Sequence, residues 1–295
     1  LEEETGNYYV SVKNFCSFLN FFRLKSKLDE IPENEHAVID FSLCSFVDHT
    51  VMEGLNEYRR GFARKGGAFE IIGLDAHTAD TQHPFAIRKS LPANDFFKIN
   101  NNLTKRQLSL QKLSTILGWD YRPEASSDTK ELERFDFFRA KVINYQFNEI
   151  VNESNDFHLF DLSYSEGAFI SKDDIVSSFL LINLKFDIPV FILDRENILG
   201  GINENTVYKD LDFPKYPDFS RRFFLGGKRT SEIRSLFDSK LVFFFESHAY
   251  FRVESIGKTI LIKGKSRLSS IQEIKQLLAF STELMSIINN RFLDK

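Results

Sequence analysis

Three stretches of this chain combine residue types and spacings that could do chemistry. The first is Asp48-His49-Thr50-Val51-Met52-Glu53, which opens an apolar-periodic segment. An Asp directly ahead of a helix can accept a hydrogen bond from an orphan amide of the first turn, and its charge suits the positive end of the dipole. Thr50 and Glu53 form a Thr-x-x-Glu pattern, an alternative register of the same cap. A helix N-terminus at the end of a parallel strand also attracts anions and phosphates. Phosphorylating Thr50 would add about two negative charges where they are tolerated and would change what can dock. Plain capping, phosphoregulation, and anion or nucleotide binding are all open for this stretch.

The second stretch is a set of carboxylates: Asp161, Glu166, Asp173, Asp174, Asp194 and Glu196. Asp161 and Glu166 would make an acid/base pair if they converged in a cleft; otherwise they belong to a solvated turn after a strand. The third is Arg221-Arg222-Phe223-Phe224 with Lys228-Arg229, a basic and aromatic mixture usable on nucleic acid or at an anionic membrane surface. Gly226-Gly227-Lys228-Arg229-Thr230 is not a phosphate-binding P-loop, because Arg222 holds the first Gly position and Arg229 the hydroxyl position. It reads as a basic turn. No Cys-x-x-Cys or His-Glu-x-x-His occurs, and the six His are scattered, so no metal site is expected.

The elements that would carry these residues alternate in the first part of the chain. Tyr8–Lys13 reads as a strand and residues 15–31 as a helix, with Phe18, Phe22, Leu24 and Leu28 near helical spacing and Pro32 as the stop. Ala37–Phe41 and Phe69–Leu74 read as buried strands. Asp48–Lys65 reads as an amphipathic helix ended by Gly66-Gly67. Strand and helix alternating in this way predict a mostly parallel α/β sheet. A further helix is expected over Leu103–Leu117, with Leu108, Leu113, Ile116 and Leu117 apolar and Gly118 ending it. From Phe135 onward short apolar and aromatic runs dominate, Leu241–Phe245 among them. They predict an α+β part with a largely antiparallel sheet. A final helix spans Ser270–Phe292 and opens on a Ser270/Glu273 capping box.

Composition sets the outer bounds. A chain of 295 residues suggests about two domains. Hydrophobic residues at 42% and charged residues at 27% exclude wholesale disorder and a collagen-like chain. The 32 Phe, against one Trp, predict Phe-filled cores. A net charge of −4 argues against a nucleic-acid partner. Cys16 and Cys44 are expected to be buried reduced thiols. No window reaches the ~18 apolar residues of a membrane span. The N-terminal Leu-Glu-Glu-Glu does not read as a signal peptide, and a first residue other than Met fits a piece of a longer protein.

Residues 38–55 read Val-Ile-Asp-Phe-Ser-Leu-Cys-Ser-Phe-Val-Asp-His-Thr-Val-Met-Glu-Gly-Leu. This stretch resembles the signature of STAS domains, found in anti-sigma-factor antagonists and in the cytoplasmic tails of SulP-type anion transporters. Asp40 matches the family's strand-end Asp and Asp48 its second Asp. Thr50 falls where the antagonists carry a phosphorylated Ser. His49 replaces their first hydroxyl residue, and Val51 replaces the small residue that follows the second. Ile72-Gly73-Leu74-Asp75 and His83-Pro84-Phe85-Ala86-Ile87-Arg88 are more similar to the bacterial SulP tails. The resemblance covers residues ~7 to ~90.

The resemblance implies an α/β STAS-like domain over residues 1–95. A helix and linker (96–132) and an α+β domain (133–295) would follow. It implies a non-enzymatic regulatory or interaction module, cytoplasmic at the inner membrane face, belonging to a SulP-type inorganic anion transporter. Its partners would be the transporter's membrane domain or other regulatory proteins. No cofactor, metal or catalytic residue is expected. Asp40, Asp48, His49 and Thr50 form the candidate phosphorylation, anion or nucleotide site. The alternative is a free-standing STAS regulator switched at the Asp48–Thr50 helix terminus. A third reading is an enzyme built around Asp161 and Glu166.

Overall fold

The apolar run from Ala37 continues past Asp40 and Phe41 to form β3, His36–Val47, the central strand of the first sheet. The structure is a computed structural model and describes residues 2–4, 7–90, 103–152, 154, 156–167, 173–196 and 208–293. Strand β2 (Asn7–Cys16) and strand β4 (Ala68–Ile72) run parallel to β3. Helix α1 (Phe21–Leu28) and helix α2 (His49–Arg64) connect them. The sheet is mixed rather than mostly parallel. Strand β1 (Glu2–Glu4) is antiparallel to β2. Strand β6 (Arg88–Ser90) pairs antiparallel with the far end of β3 and with β5 (His77–Ala79).

The helix expected over residues 15–31 begins later. Strand β2 runs on to Cys16, with Phe15 paired to Phe46 and Cys16 to Val47. Asn20 then shapes a turn: its Oδ1 accepts from Ser17 N at 2.8 Å and its Nδ2 donates to Phe15 O at 2.9 Å. Leu24 and Leu28 face the core as expected, but Phe18 and Phe22 are 65% and 63% exposed. Phe21 takes the inward place and lies against Gly54 of α2, where a Cβ would meet its ring at 2.4 Å.

The second sheet is antiparallel throughout. Strands β7 (Asp120–Arg122), β8 (Lys141–Val151), β9 (Phe157–Glu166), β10 (Asp173–Arg195) and β11 (Phe223–Gly227) lie side by side, and β12 (Arg252–Lys263) also pairs with β10. Pro189 sits where the β10–β12 register shifts, a place where a strand tolerates a missing amide. The Gly226-Gly227 stretch, expected as a turn, closes β11 against β10.

Helices α4 (Pro217–Arg222), α5 (Thr230–Leu236), α6 (Ser239–Ser247) and α7 (Ile271–Leu293) contribute to one large apolar core with the second sheet. Its Phe rings are in contact, Phe244 with Phe280 at 4.8 Å and Phe237 with Phe245 at 5.8 Å between centroids. The aromatic run Leu241–Phe245 is helical here, because Asp238 caps α6 by accepting from Leu241 N at 3.1 Å. The α7 capping box forms as expected: Glu273 N donates to Ser270 Oγ and Ser270 N to Glu273 Oε2. A second core places Leu132, Phe135 and Phe138 against Phe160, Tyr164 and Phe179.

The two sheets share a boundary. Along β3, Ala37, Ile39 and Phe41 join the core of α1 and α2. Val38 alternates to the other face and packs with Tyr9, Ile72, Leu268 and Val176. Ile271 N, at the start of α7, donates to Glu70 Oε1 of β4 at 3.3 Å. Helix α3 (Lys105–Leu117) lies at the same boundary. Its expected apolar face is rotated: Leu110 and Leu113 are buried together with Arg106, Gln107 and Ser114, whereas Leu108 and Ile116 are exposed.

Candidate functional site

Asp48 follows directly on β3 and is the N-cap of α2, with Oδ1 accepting from Val51 N at 2.9 Å. Its second oxygen accepts from Phe18 N at 2.6 Å, and its own amide donates to Cys16 O at 3.1 Å. One carboxylate therefore caps a helix and also fixes the β2–α1 turn. The Thr-x-x-Glu register is not the one used. A cap of this kind contributes about 1 kcal/mol.

His49 and Thr50 follow on the first turn of α2, and both are exposed. The His49 ring bonds Phe85 O through Nδ1 at 2.8 Å and lies 5.6 Å from the His83 ring. The motif residues from the β5–β6 connection thus come against the helix terminus. Asp40 does not join them. It sits on the Val38 face of β3, turned toward the second sheet and 5% exposed. Ser42 supplies its amide at 2.8 Å and its hydroxyl at 2.5 Å to Asp40 Oδ1. Burial pushes the Asp40 carboxyl above its usual range, and these two hydrogen bonds and the positive charges of Arg267 and Arg106 oppose that rise. The four motif residues are split between a surface terminus and a buried boundary.

A buried ionic cluster centres on Arg106, which no motif pointed to, and takes up Asp161, expected in an acid/base pair with Glu166. Arg106, fully buried on α3, donates to Asp161 through both terminal nitrogens at 2.5 and 3.1 Å and to Asp75 at 3.0 Å. Asn148 Nδ2 bridges the same two carboxylates at 3.0 and 2.9 Å. Asn148 reaches them from a register break in β8, with φ of 54°. Ser178 donates to Asp161 at 2.6 Å, and Thr104 donates to Asp75. Burial disfavours the guanidinium charge, but Asp161 and Asp75 more than restore it. Asp75 comes from the first half of the chain, Arg106 from α3 and Asp161 from the second sheet. The cluster ties the halves together.

Asp161 and Glu166 do not form an acid/base pair. Five residues apart on the regular strand β9, they point to opposite faces. Asp161 belongs to Arg106, while Glu166 pairs with Lys141 at 3.0 Å. The basic and aromatic segment is also engaged: Arg221 pairs with Asp218, Arg229 with Glu232, and Arg222 donates to Glu246 O. Cys16 and Cys44 are free and buried, and burial pushes Cys16 up to about 12. Among the described residues no cluster of His, Cys, Asp and Glu could hold a metal ion. A depression of 220 Å³ lined by Leu236, Asp238, Lys240, Ile287 and Arg291, among others, contains none of the motif residues.

A second buried charge cluster surrounds Phe137. Lys141 Nζ, Lys263 Nζ and the Arg252 guanidinium lie 4.7, 5.1 and 5.4 Å from its ring centroid. Arg252 pairs with Asp194 and Glu254, while Lys263 donates to Ser266 Oγ at 3.1 Å. Burial, then Arg252, pushes Lys263 down from 10.5 to about 8. Between those two pH values the unfolded chain holds the lysine proton and the folded chain does not. Stability from this group therefore rises with pH across that window, by roughly 3 kcal/mol in all. Urea unfolding of wild type and Lys263→Met at pH 8 and pH 10 checks it. Wild type is expected to gain on the variant as pH rises; a constant difference would refute the account.

No protein-family model matches the sequence, and no curated protein matches it. Among solved structures, the crystal structure of the mycobacterial trehalose monomycolate transport factor A, TtfA, is similar with a TM-score of 0.46 and 12% identity. The match covers 63% of this chain and 96% of that one. That likeness is too distant to transfer a fold or a function.

Proposed function

We propose that this chain is a non-enzymatic regulatory and interaction module of a SulP-type inorganic anion transporter, held at the inner face of a membrane. The observation that carries the reading is the helix terminus itself. Asp48 ends β3 and caps α2, and Thr50 is exposed on the first helical turn. The His83–Phe85 motif packs beside them. Parallel β2, β3 and β4 with their connecting helices support the same reading. Among the described residues no helix is long and apolar enough to cross a membrane. Transport chemistry would belong to a separate membrane domain, and that domain or another regulatory protein would be the partner.

A second reading keeps the same site: a free-standing regulator switched by phosphorylation of Thr50, or by an anion or nucleotide at that terminus. The exposure of Thr50 favours it. The coding sequence on the 5′ side of the Leu1 codon separates the two. A series of apolar spans of about 20 residues each is expected there. A start codon directly ahead of Leu1 would overturn the transporter reading and leave the switch.

A further inference from the structure

The β2–α1 turn exposes four large apolar side chains, two of which, Phe18 and Phe22, share the helical spacing of the buried Leu24 and Leu28. Phe15, Phe18, Leu19 and Phe22 are 54%, 65%, 69% and 63% exposed. They occur within eight residues, at a strand end, a tight turn and the first turn of α1. Scattered exposed hydrophobics need no explanation, but four within eight residues of one turn point to an interaction surface. The turn is built rather than slack. Asn20 bonds both Ser17 N and Phe15 O, Phe21 N donates to Ser17 O at 2.9 Å, and the Asp48 carboxylate holds Phe18 N.

The segment that carries this patch is basic, although the Asp48 carboxylate of α2 meets it at Phe18 N. From residue 5 to residue 28 the chain has Lys13, Arg23, Lys25 and Lys27 and no Asp or Glu, although the whole chain carries −4. All four cations are exposed. Lys27 reaches Glu30 at 2.8 Å, and Arg23 lies over the Phe22 ring at 5.8 Å. Two copies meeting across a two-fold axis would set these cations against themselves. Phe and Leu flanked by Lys and Arg, at a strand end, a turn and the first turn of a short helix, match the chemistry of an anionic bilayer surface.

We propose that Phe15, Phe18, Leu19 and Phe22, with Lys13, Arg23 and Lys25, insert into and bind the headgroup region of an anionic membrane. The rings enter the acyl boundary while the cations meet lipid phosphates. Asp48 positions the turn through its bond to Phe18 N. The proposal is independent of the transporter reading, because a free-standing regulator would dock through the same patch.

Co-sedimentation of the full 295-residue chain with phosphatidylcholine vesicles, with and without phosphatidylglycerol, tests it. Wild type is expected to bind the phosphatidylglycerol vesicles and to release as salt rises. Phe18→Ser/Phe22→Ser is expected to lower partition by about tenfold or more. Each of Lys13→Glu, Arg23→Glu and Lys25→Glu should lower it by about fivefold or more. These side chains are exposed, so wild-type circular dichroism and Tm are expected in the variants. Phe18→Trp adds a direct readout, a blue shift of emission on adding anionic vesicles. No binding by wild type, equal binding to uncharged vesicles, undiminished binding by the double Ser variant, or no blue shift would each overturn the proposal. Dimerisation that the double Ser variant abolishes, without vesicle binding, would assign the patch to a second copy instead.

Discussion

Arg106→Met is expected to cost about 3–5 kcal/mol of folding stability, because it leaves two buried carboxylates unpaired. The guanidinium side chain is 1% exposed, and those of Asp75 and Asp161 are 1% and 4% exposed. Methionine fills most of the arginine's volume, so cavity formation is a minor part of the loss. What remains is Asp75 and Asp161, each stripped of its ionic partner and held only by neutral donors such as Asn148 and Ser178. Arg106→Lys is expected to recover part of the loss but not all of it. An ammonium cannot reproduce the two-pronged bond to Asp161 while also reaching Asp75. Urea unfolding of the two single variants and of Arg106→Met/Asp75→Asn/Asp161→Asn separates charge from shape. The triple variant should be more stable than Arg106→Met alone, since it carries no buried unpaired charge. If Arg106→Met unfolds within about 1 kcal/mol of wild type, the cluster does not hold the two halves together.

The contrast between Asp48 and Arg106 shows which parts of such a chain are legible from sequence. Asp48 acts locally: it precedes an amphipathic helix, and a cap is defined by neighbours three residues away. The α7 capping box is legible for the same reason. Arg106 acts through Asp75 and Asp161, 31 and 55 residues away, and its helix buries a polar face. Apolar periodicity therefore pointed to Leu108 and Ile116, which face outward. The same limit applies to Asp40. An Asp after an apolar strand run looks like a strand end, but β3 continues to Val47 because β2 and β6 pair with its second half. Asp40 is thereby turned toward the second sheet instead of toward the Asp48 terminus. In residues 15–31, Phe18 and Phe22 could be assigned to a core only by assuming one helical period. The strand continuing to Cys16 and the Asn20 turn break that period. The antiparallel character of the second sheet was legible because it rests on many short apolar runs. The helix at Leu241–Phe245 was not, since an all-apolar run has no period to read, even though Asp238 caps its start.

Gly73→Ala is expected to destabilise the chain by about 2–5 kcal/mol and to disturb Asp40 and Asp75 together. Gly73 has φ of +83°, a conformation that costs an L-residue about 1–2 kcal/mol. A Cβ there would also stand 2.2 Å from Ser42 N, 2.6 Å from Ser42 Oγ and 2.8 Å from Asp40 Oδ1. The first of these is backbone inside β3 and cannot swing aside, so overpacking adds about 1–3 kcal/mol. The displaced groups are the two donors that hold the Asp40 carboxylate. Asp75 follows two residues later on the short helical turn Leu74–Ala76, so a shift at Gly73 also pulls on the carboxylate that Arg106 binds. Gly66→Ala isolates the conformational part. Gly66 has the same φ of +83° with nothing within 4 Å of its would-be Cβ. Its loss should stay near the 1–2 kcal/mol of the backbone alone. Urea unfolding of both variants gives the comparison. Equal losses would mean that Ser42 and Asp40 move out of the way at no cost, and that the Gly73 contact does not hold Asp40 in place. A Gly73→Ala loss about 1–3 kcal/mol above that of Gly66→Ala would show that Ser42 and Asp40 are held rigidly against Gly73, beside the turn that carries Asp75 to the Arg106 cluster.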